Sequence, residues 1–249
     1  MMTCRCCGSV DKLIKSHIIP QAFFRELQHT DEVTLIMSGV EGERTKKSRK
    51  GVYDQQILCR TCEAKLSNID SYGINVLLKN FDQLFLPVKN VEEIIGFEGA
   101  AVHKEKLLHF LVSVLWRASV STQNFYKNVN LEEHEDSAKQ IAFASKASSF
   151  GVFDAVISKW ENGEILGHPV PPLLDPHKEQ WCGINAYRFY FGKIVAYIKV
   201  DERPFPEPLR RHSLLNAQAV YAISRNFATS SDFKAMISTA QKIYKAEQS

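Results

Sequence analysis

The sequence predicts an α+β protein, in which a small metal-stabilised module over residues 1–73 is joined to a larger mixed helical domain with a β-hairpin over residues 91–249. Three observations carry this. Two Cys-x-x-Cys pairs, Cys4/Cys7 and Cys59/Cys62, mark the N-terminal part. Between Lys104 and Val120, apolar residues at 107, 108, 111, 112, 115 and 116 recur at helical spacing. From Trp181 to Val200, aromatic and aliphatic residues alternate with polar ones around Gly192-Lys193, as in a β-hairpin.

The remaining elements follow in chain order. Met37 to Gly51 is polar and basic, and reads as an exposed loop or hairpin tip. The helix over Lys104–Val120 holds Trp116, expected in the core, and Arg117, expected as a buried ion-pair partner. Leu131 to Ala147 predicts a second helix, opening on acidic residues that suit a helix N-terminus. Phe153 to Trp160 reads as a third helix. Val170-Pro-Pro and Asp175-Pro mark a loop, and Pro204, Pro206 and Pro208 another irregular segment. Ser231 to Ala246 predicts a C-terminal helix capped near Ser231 or Asp232.

Composition sets outer limits. Hydrophobic residues are 45% of the 249, enough for a real core. A formal net charge of +3 demands no nucleic-acid partner, and permits one where cations cluster. The apolar run Leu107–Leu115 is too short to span a bilayer, and the N-terminus carries no apolar signal region. A cytoplasmic protein is the expectation. Five of the six cysteines fall in two tight groups and Cys182 stands alone, which in a reducing compartment points to metal rather than disulfides.

Four thiolates suit tetrahedral zinc, and a two-residue spacer lets one tight turn present two of them. Cys4, Cys7, Cys59 and Cys62 are therefore the expected ligands, with Gly8 easing the first turn. Cys6 competes with Cys7, at a spacing that fits a zinc knuckle less well. A module of this size cannot build a full core, so the metal should supply much of its folding energy.

Between the pairs stands Lys15-Ser16-His17-Ile18-Ile19-Pro20, and before the second pair Tyr53-Asp54-Gln55-Gln56-Ile57-Leu58. With the cysteines, residues 4–72 resemble the HNH endonuclease family, whose ββα-metal core often carries two zinc-binding Cys-x-x-Cys pairs in a treble clef. The resemblance implies that His17 is the general base that activates water. The family's first strand carries a metal-binding aspartate where Ser16 stands here. Asp54 takes the place of an asparagine that orients the histidine, and Glu63 that of an asparagine or histidine that helps hold the metal. The implied cofactors are structural Zn2+ and a catalytic Mg2+ or Mn2+, with Glu63, and Ser16 beside it, holding the second ion. Glu63, Ser67 and Asp70 would share a helix face.

An imidazole suits the deprotonation of water near neutral pH, and a bound cation neutralises the scissile phosphate. Arg44, Lys46, Lys47, Arg49 and Lys50 in the insert form a basic tip able to grip a phosphate backbone, and charges of this kind also serve merely to keep a loop solvated. Arg60 can reach a phosphate or be surface filler. The aromatic hairpin can stack bases, form a core face or meet a protein partner.

The expected function is a metal-dependent DNA endonuclease or nickase of the HNH type. The resemblance implies a setting in phage defence or in phage or bacterial DNA processing. The larger C-terminal domain would select the target or dock a partner, either another protein or a second copy of the chain. The alternative is a catalytically degenerate zinc module that binds nucleic acid or protein, for which Ser16 is the best support.

Overall fold

The computed structural model describes residues 2–25, 35–39, 46–48, 50–147, 149–161 and 173–248. The first segment runs through β1 (Ser16–His17), α1 (Ala22–Arg25), β2 (Leu35–Met37), β3 (Lys46–Lys47) and β4 (Tyr53–Asp54) into α2 (Arg60–Ile74). A π-helical turn over Asn75–Lys79 leads to α3 (Phe81–Leu84), then β5 (Leu86–Asn90) and β6 (Glu93–Gly99). Helices α4 (Lys104–Ser119) and α5 (Glu135–Phe143) follow, then β7 (Phe153–Trp160), β8 (Leu173–Leu174), β9 (His177–Trp181), β10 (Ile184–Phe191), β11 (Ile194–Val200), β12 (Val220–Arg225) and α6 (Ser231–Gln248). No described helix is long and apolar enough to cross a membrane.

A seven-stranded mixed sheet, in the order β5-β6-β12-β7-β11-β10-β9, forms the centre. Every neighbouring pair is antiparallel except β12 with β7. The hairpin expected around Gly192-Lys193 is β10–β11, in continuous register from Ala186↔Lys199 to Phe191↔Ile194. Its aromatic residues Tyr187, Phe189, Tyr190, Phe191 and Tyr197 are buried, so they build the core.

Phe153–Trp160 corrects the expectation of a third helix: it is β7, the central strand of the sheet. All but one of its residues are buried, with helix α4 (Lys104–Ser119) on one side and Phe205 and Leu209 packed against Val156 on the other. A strand buried on both faces loses the alternation that marks a half-exposed strand, and a short apolar run then reads equally well as helix. Leu131–Ala147 is also shorter in helix than expected: a 3-10 turn over Glu132–His134 precedes α5, which ends at Phe143.

Helix α4 lies under the sheet, and every residue from Leu107 to Ala118 is buried. A helix apolar all round must be enclosed, and α4 is, by α2, α5, β7 and β11. Two of its buried polar side chains are satisfied within the fold: His109 donates through Nε2 to the Ala142 carbonyl at 3.2 Å, and Ser113 Oγ donates to the Phe110 carbonyl at 2.8 Å, whereas the buried Trp116 Nε1 has no hydrogen-bond partner among the described residues. One cluster of buried side chains includes Cys4, Ile57 and Cys62 as well as Phe153, Tyr197 and Met236.

The basic insert is tied down at its base. Strand β2 pairs with β3 on one side and, in parallel, with β8 on the other. Asp175, just after β8, accepts from Gly39 N at 3.1 Å and Ser38 Oγ at 3.3 Å. At the C-terminus, Ser230 rather than Ser231 or Asp232 caps α6, accepting from Phe233 N at 3.1 Å. Asp232 is wholly buried and instead binds Arg188 at 2.7 Å, Arg225 at 3.1 Å and Tyr190 at 3.0 Å.

Candidate metal centre and adjoining site

Two tight turns bring the four cysteines together. In the first, Gly8 N bonds the Cys4 carbonyl at 2.8 Å, and Cys4 N bonds the Ser9 carbonyl at 2.9 Å, with Gly8 at φ +72. That left-handed conformation favours glycine. In the second, Cys59 precedes α2 and Cys62 lies in its first turn. Leu13 bridges Cys59, and Arg5 N bonds the Ile57 carbonyl at 2.8 Å, which clamps one turn to the other.

The ligand atoms of Cys4, Cys7, Cys59 and Cys62 lie within 4.8 Å of one another, and Cys7 and Cys59 sulfurs are 3.9 Å apart. Tetrahedral zinc with Zn–S bonds of about 2.3 Å needs sulfurs about 3.8 Å apart, so the set fits a metal ion such as zinc. Cys7 belongs to the group and Cys6 does not. Hydrogen bonding from Ser9, by side chain and backbone, lowers the Cys7 thiol to about 6. The Cys59 thiol is also lowered, first by a backbone hydrogen bond, whereas burial pushes Cys62 up. A buried thiol held protonated in this way needs a cation before it can ligate as thiolate.

Next to the cysteines lies the β1–β4 pair, in which Ser16 faces Asp54 and His17 faces Tyr53. Alternation therefore puts Ser16 and Asp54 on one face and His17 and Tyr53 on the other. The His17 ring sits 5.8 Å from that of Tyr53, and its Nε2 lies 3.1 Å from the Lys50 carbonyl. A carbonyl can only accept, so Nε2 carries the proton and Nδ1 keeps a free lone pair. Burial, reinforced by the charge of Lys15, lowers the His17 imidazole to about 4. It is neutral at pH 7. Gly51 holds the Lys50 carbonyl in place: its φ is +72, and an added Cβ would collide with the Phe24 ring.

The opposite face is a buried polar cluster. Ser16, wholly buried, donates to Glu63 Oε2. Burial raises the Glu63 carboxyl, while Ser16 and the Arg117 charge act the other way. Arg117, 0% exposed, binds both oxygens of Asp70, at 2.9 and 2.6 Å. Asp54 is buried and ties β4 to the end of α4: Oδ2 accepts from Thr122 N at 2.6 Å, Thr122 Oγ1 at 2.9 Å and Ser121 Oγ at 3.0 Å. Of the three α2 residues expected on one face, Glu63 meets Ser16, Asp70 meets Arg117, and Ser67 only bonds the Ala64 carbonyl at 2.9 Å.

Magnesium can manage with one or two carboxylates and several waters. On this face Glu63 and Ser16 are bonded to each other, and Asp70 is occupied by Arg117. Among the described residues, the four cysteines are the only group of three or more converging His, Cys, Asp or Glu ligands. Of the basic tip, Lys50 is exposed; Arg44, Arg49 and the side chains of Lys46 and Lys47 lie outside the described residues.

Two features escape sequence reasoning. The Lys50 carbonyl is invisible to it, since any residue offers one. Lys15, with Nζ 3.8 Å over the Tyr53 ring, could have been found from its two-residue offset to His17. No protein-family model, curated protein or solved structure matches the chain.

Proposed function

We propose that the protein is a metal-dependent DNA endonuclease or nickase of the HNH type, built on a zinc-bound treble clef. His17 is the general base, and Glu63 with Ser16 holds Mg2+ or Mn2+, whose charge neutralises the scissile phosphate when bound. The observation that carries this reading is the anchoring of His17: Nε2–H on the Lys50 carbonyl leaves the Nδ1 lone pair free to take a proton from water, while burial makes the imidazole a weaker base than an ordinary one. The carbonyl has for His17 the orienting role that a carboxylate or amide performs at other catalytic histidines. The test is conversion of supercoiled plasmid to the open circle with added Mg2+ or Mn2+, compared with a chelator control.

A second reading is favoured by one observation. His17 and the Ser16–Glu63 pair lie on opposite faces of β1, and the Ser16 hydroxyl is already spent on Glu63. A zinc module that binds nucleic acid or protein without cutting needs no convergence of these groups. Plasmid that stays supercoiled under every metal, while still bound by the protein, supports this reading against the first.

A further inference from the structure

A groove of about 460 Å3 runs beside the cysteine centre, lined among others by Asp11, Lys12, Lys15, Gln55, Arg60 and Thr61. We infer that it binds the phosphodiester backbone of a nucleic acid and leads one strand toward His17.

Its chemistry selects the ligand. Three cations face one carboxylate, Asp11, and Gln55 and Thr61 add neutral donors. Small apolar ligands need a mostly hydrophobic lining, which this groove lacks. Lys12 and Arg60 are exposed and form no ion pair with any described carboxylate, so their charge is free for a ligand. Lys15 is held over the Tyr53 ring at 3.8 Å, its ammonium fixed rather than wandering. Lys15 and His17 meet the same side chain: the ammonium of Lys15 lies 3.8 Å from the centroid of the Tyr53 ring, and the His17 ring 5.8 Å from it. Lys15 lines the groove together with Lys12 and Arg60, so a backbone gripped there passes Lys15 and, across the Tyr53 ring, is led toward the imidazole. Cations that neutralise phosphates carry no sequence information, so the affinity they supply should be independent of sequence.

The inference rests on the nuclease reading for the direction of the strand, and its test separates the two. Zinc-loaded full-length protein is titrated into a fluorescein-labelled 20-base-pair duplex, and into the corresponding single strand, with no divalent ion added, over a salt series. Lys12→Glu/Arg60→Glu is compared with Lys89→Glu/Lys193→Glu, which makes the same charge change at exposed sites elsewhere. Lys12→Gln/Arg60→Gln serves as the milder variant if the reversal disturbs folding.

The groove variant should lose tenfold or more in affinity, and the slope of log K against log salt should flatten by about 2, close to 0.9 per lost phosphate contact. The control should bind like wild type. Equal affinity and slope for groove variant and wild type would overturn the inference, as would no binding of either oligonucleotide by wild type. Groove-dependent binding without plasmid cleavage keeps the inference and sinks the nuclease reading. Cleavage unaffected in the groove variant does the reverse.

Discussion

Arg117 donates from Nη1 to the main-chain carbonyl of His17 at 2.9 Å, across a separation of 100 residues. The same guanidinium binds Asp70 on α2 and, through Nε, the Ser113 carbonyl on α4 at 3.2 Å. One buried cation thus joins both helices to the strand that carries the imidazole. Asp70 is 17% exposed and Arg117 not at all, so removing the acid strands a charge in the core. Asp70→Ala should destabilise the protein by about 3 kcal/mol or more, read by urea unfolding. A loss below about 1 kcal/mol would mean that Arg117 finds other compensation.

The four cysteines should bind one zinc per chain, and Cys62→Ser should abolish this. With several kcal/mol lost, at about 2–4 °C per kcal/mol for a chain of this size, Tm should fall by about 10 °C. Cys6→Ser and Cys182→Ser should keep the metal, since neither residue is in the cluster. Metal analysis with thermal unfolding checks both; loss of zinc in Cys6→Ser would show that Cys6 displaces Cys7.

His17 should make stability depend on acid pH. The unfolded imidazole takes up its proton near the ordinary 6.5, the folded one only near 4. The unfolded chain binds more protons in that interval, so this contribution is full above about 6.5 and is lost as pH falls toward 4. Urea unfolding at pH 7 and pH 5 should show a larger drop for wild type than for His17→Asn. Equal drops would place the folded imidazole at its ordinary pKa.

Gly73 should resist replacement although alanine is the better helix former. A Cβ there would overlap the Phe110 ring, where α2 packs on α4. Overpacking outweighs propensity, and Gly73→Ala should cost about 1–3 kcal/mol by denaturant unfolding. A stabilised variant would show that Phe110 moves aside freely.

What could be read in the sequence was set by local spacing. The cysteine ligands, α4 and the β10–β11 hairpin each depend on residues a few positions apart, and each is present as expected. Strand β7 escaped because burial on both faces erases its alternation. Strand β12 escaped because its place, parallel to β7 and antiparallel to β6, is fixed by partners far along the chain. In the candidate site, the chemistry-bearing side chains stand in the sequence, but their surroundings do not. That Asp54 would bond Thr122, or that a backbone carbonyl at Lys50 would hold the imidazole, follows only from tertiary contact.

The most direct measurement is plasmid cleavage by wild type and His17→Ala, both shown beforehand to hold zinc and to unfold cooperatively. Position 17 is outside the cysteine cluster, so the variant should keep its metal. With Mg2+ or Mn2+ the wild type should nick supercoiled DNA, and the variant should be slower by about 10²–10⁴-fold, the usual worth of a general base. Equal rates for the two proteins, or no cleavage by wild type under any metal, would contradict the assignment of His17 as the base.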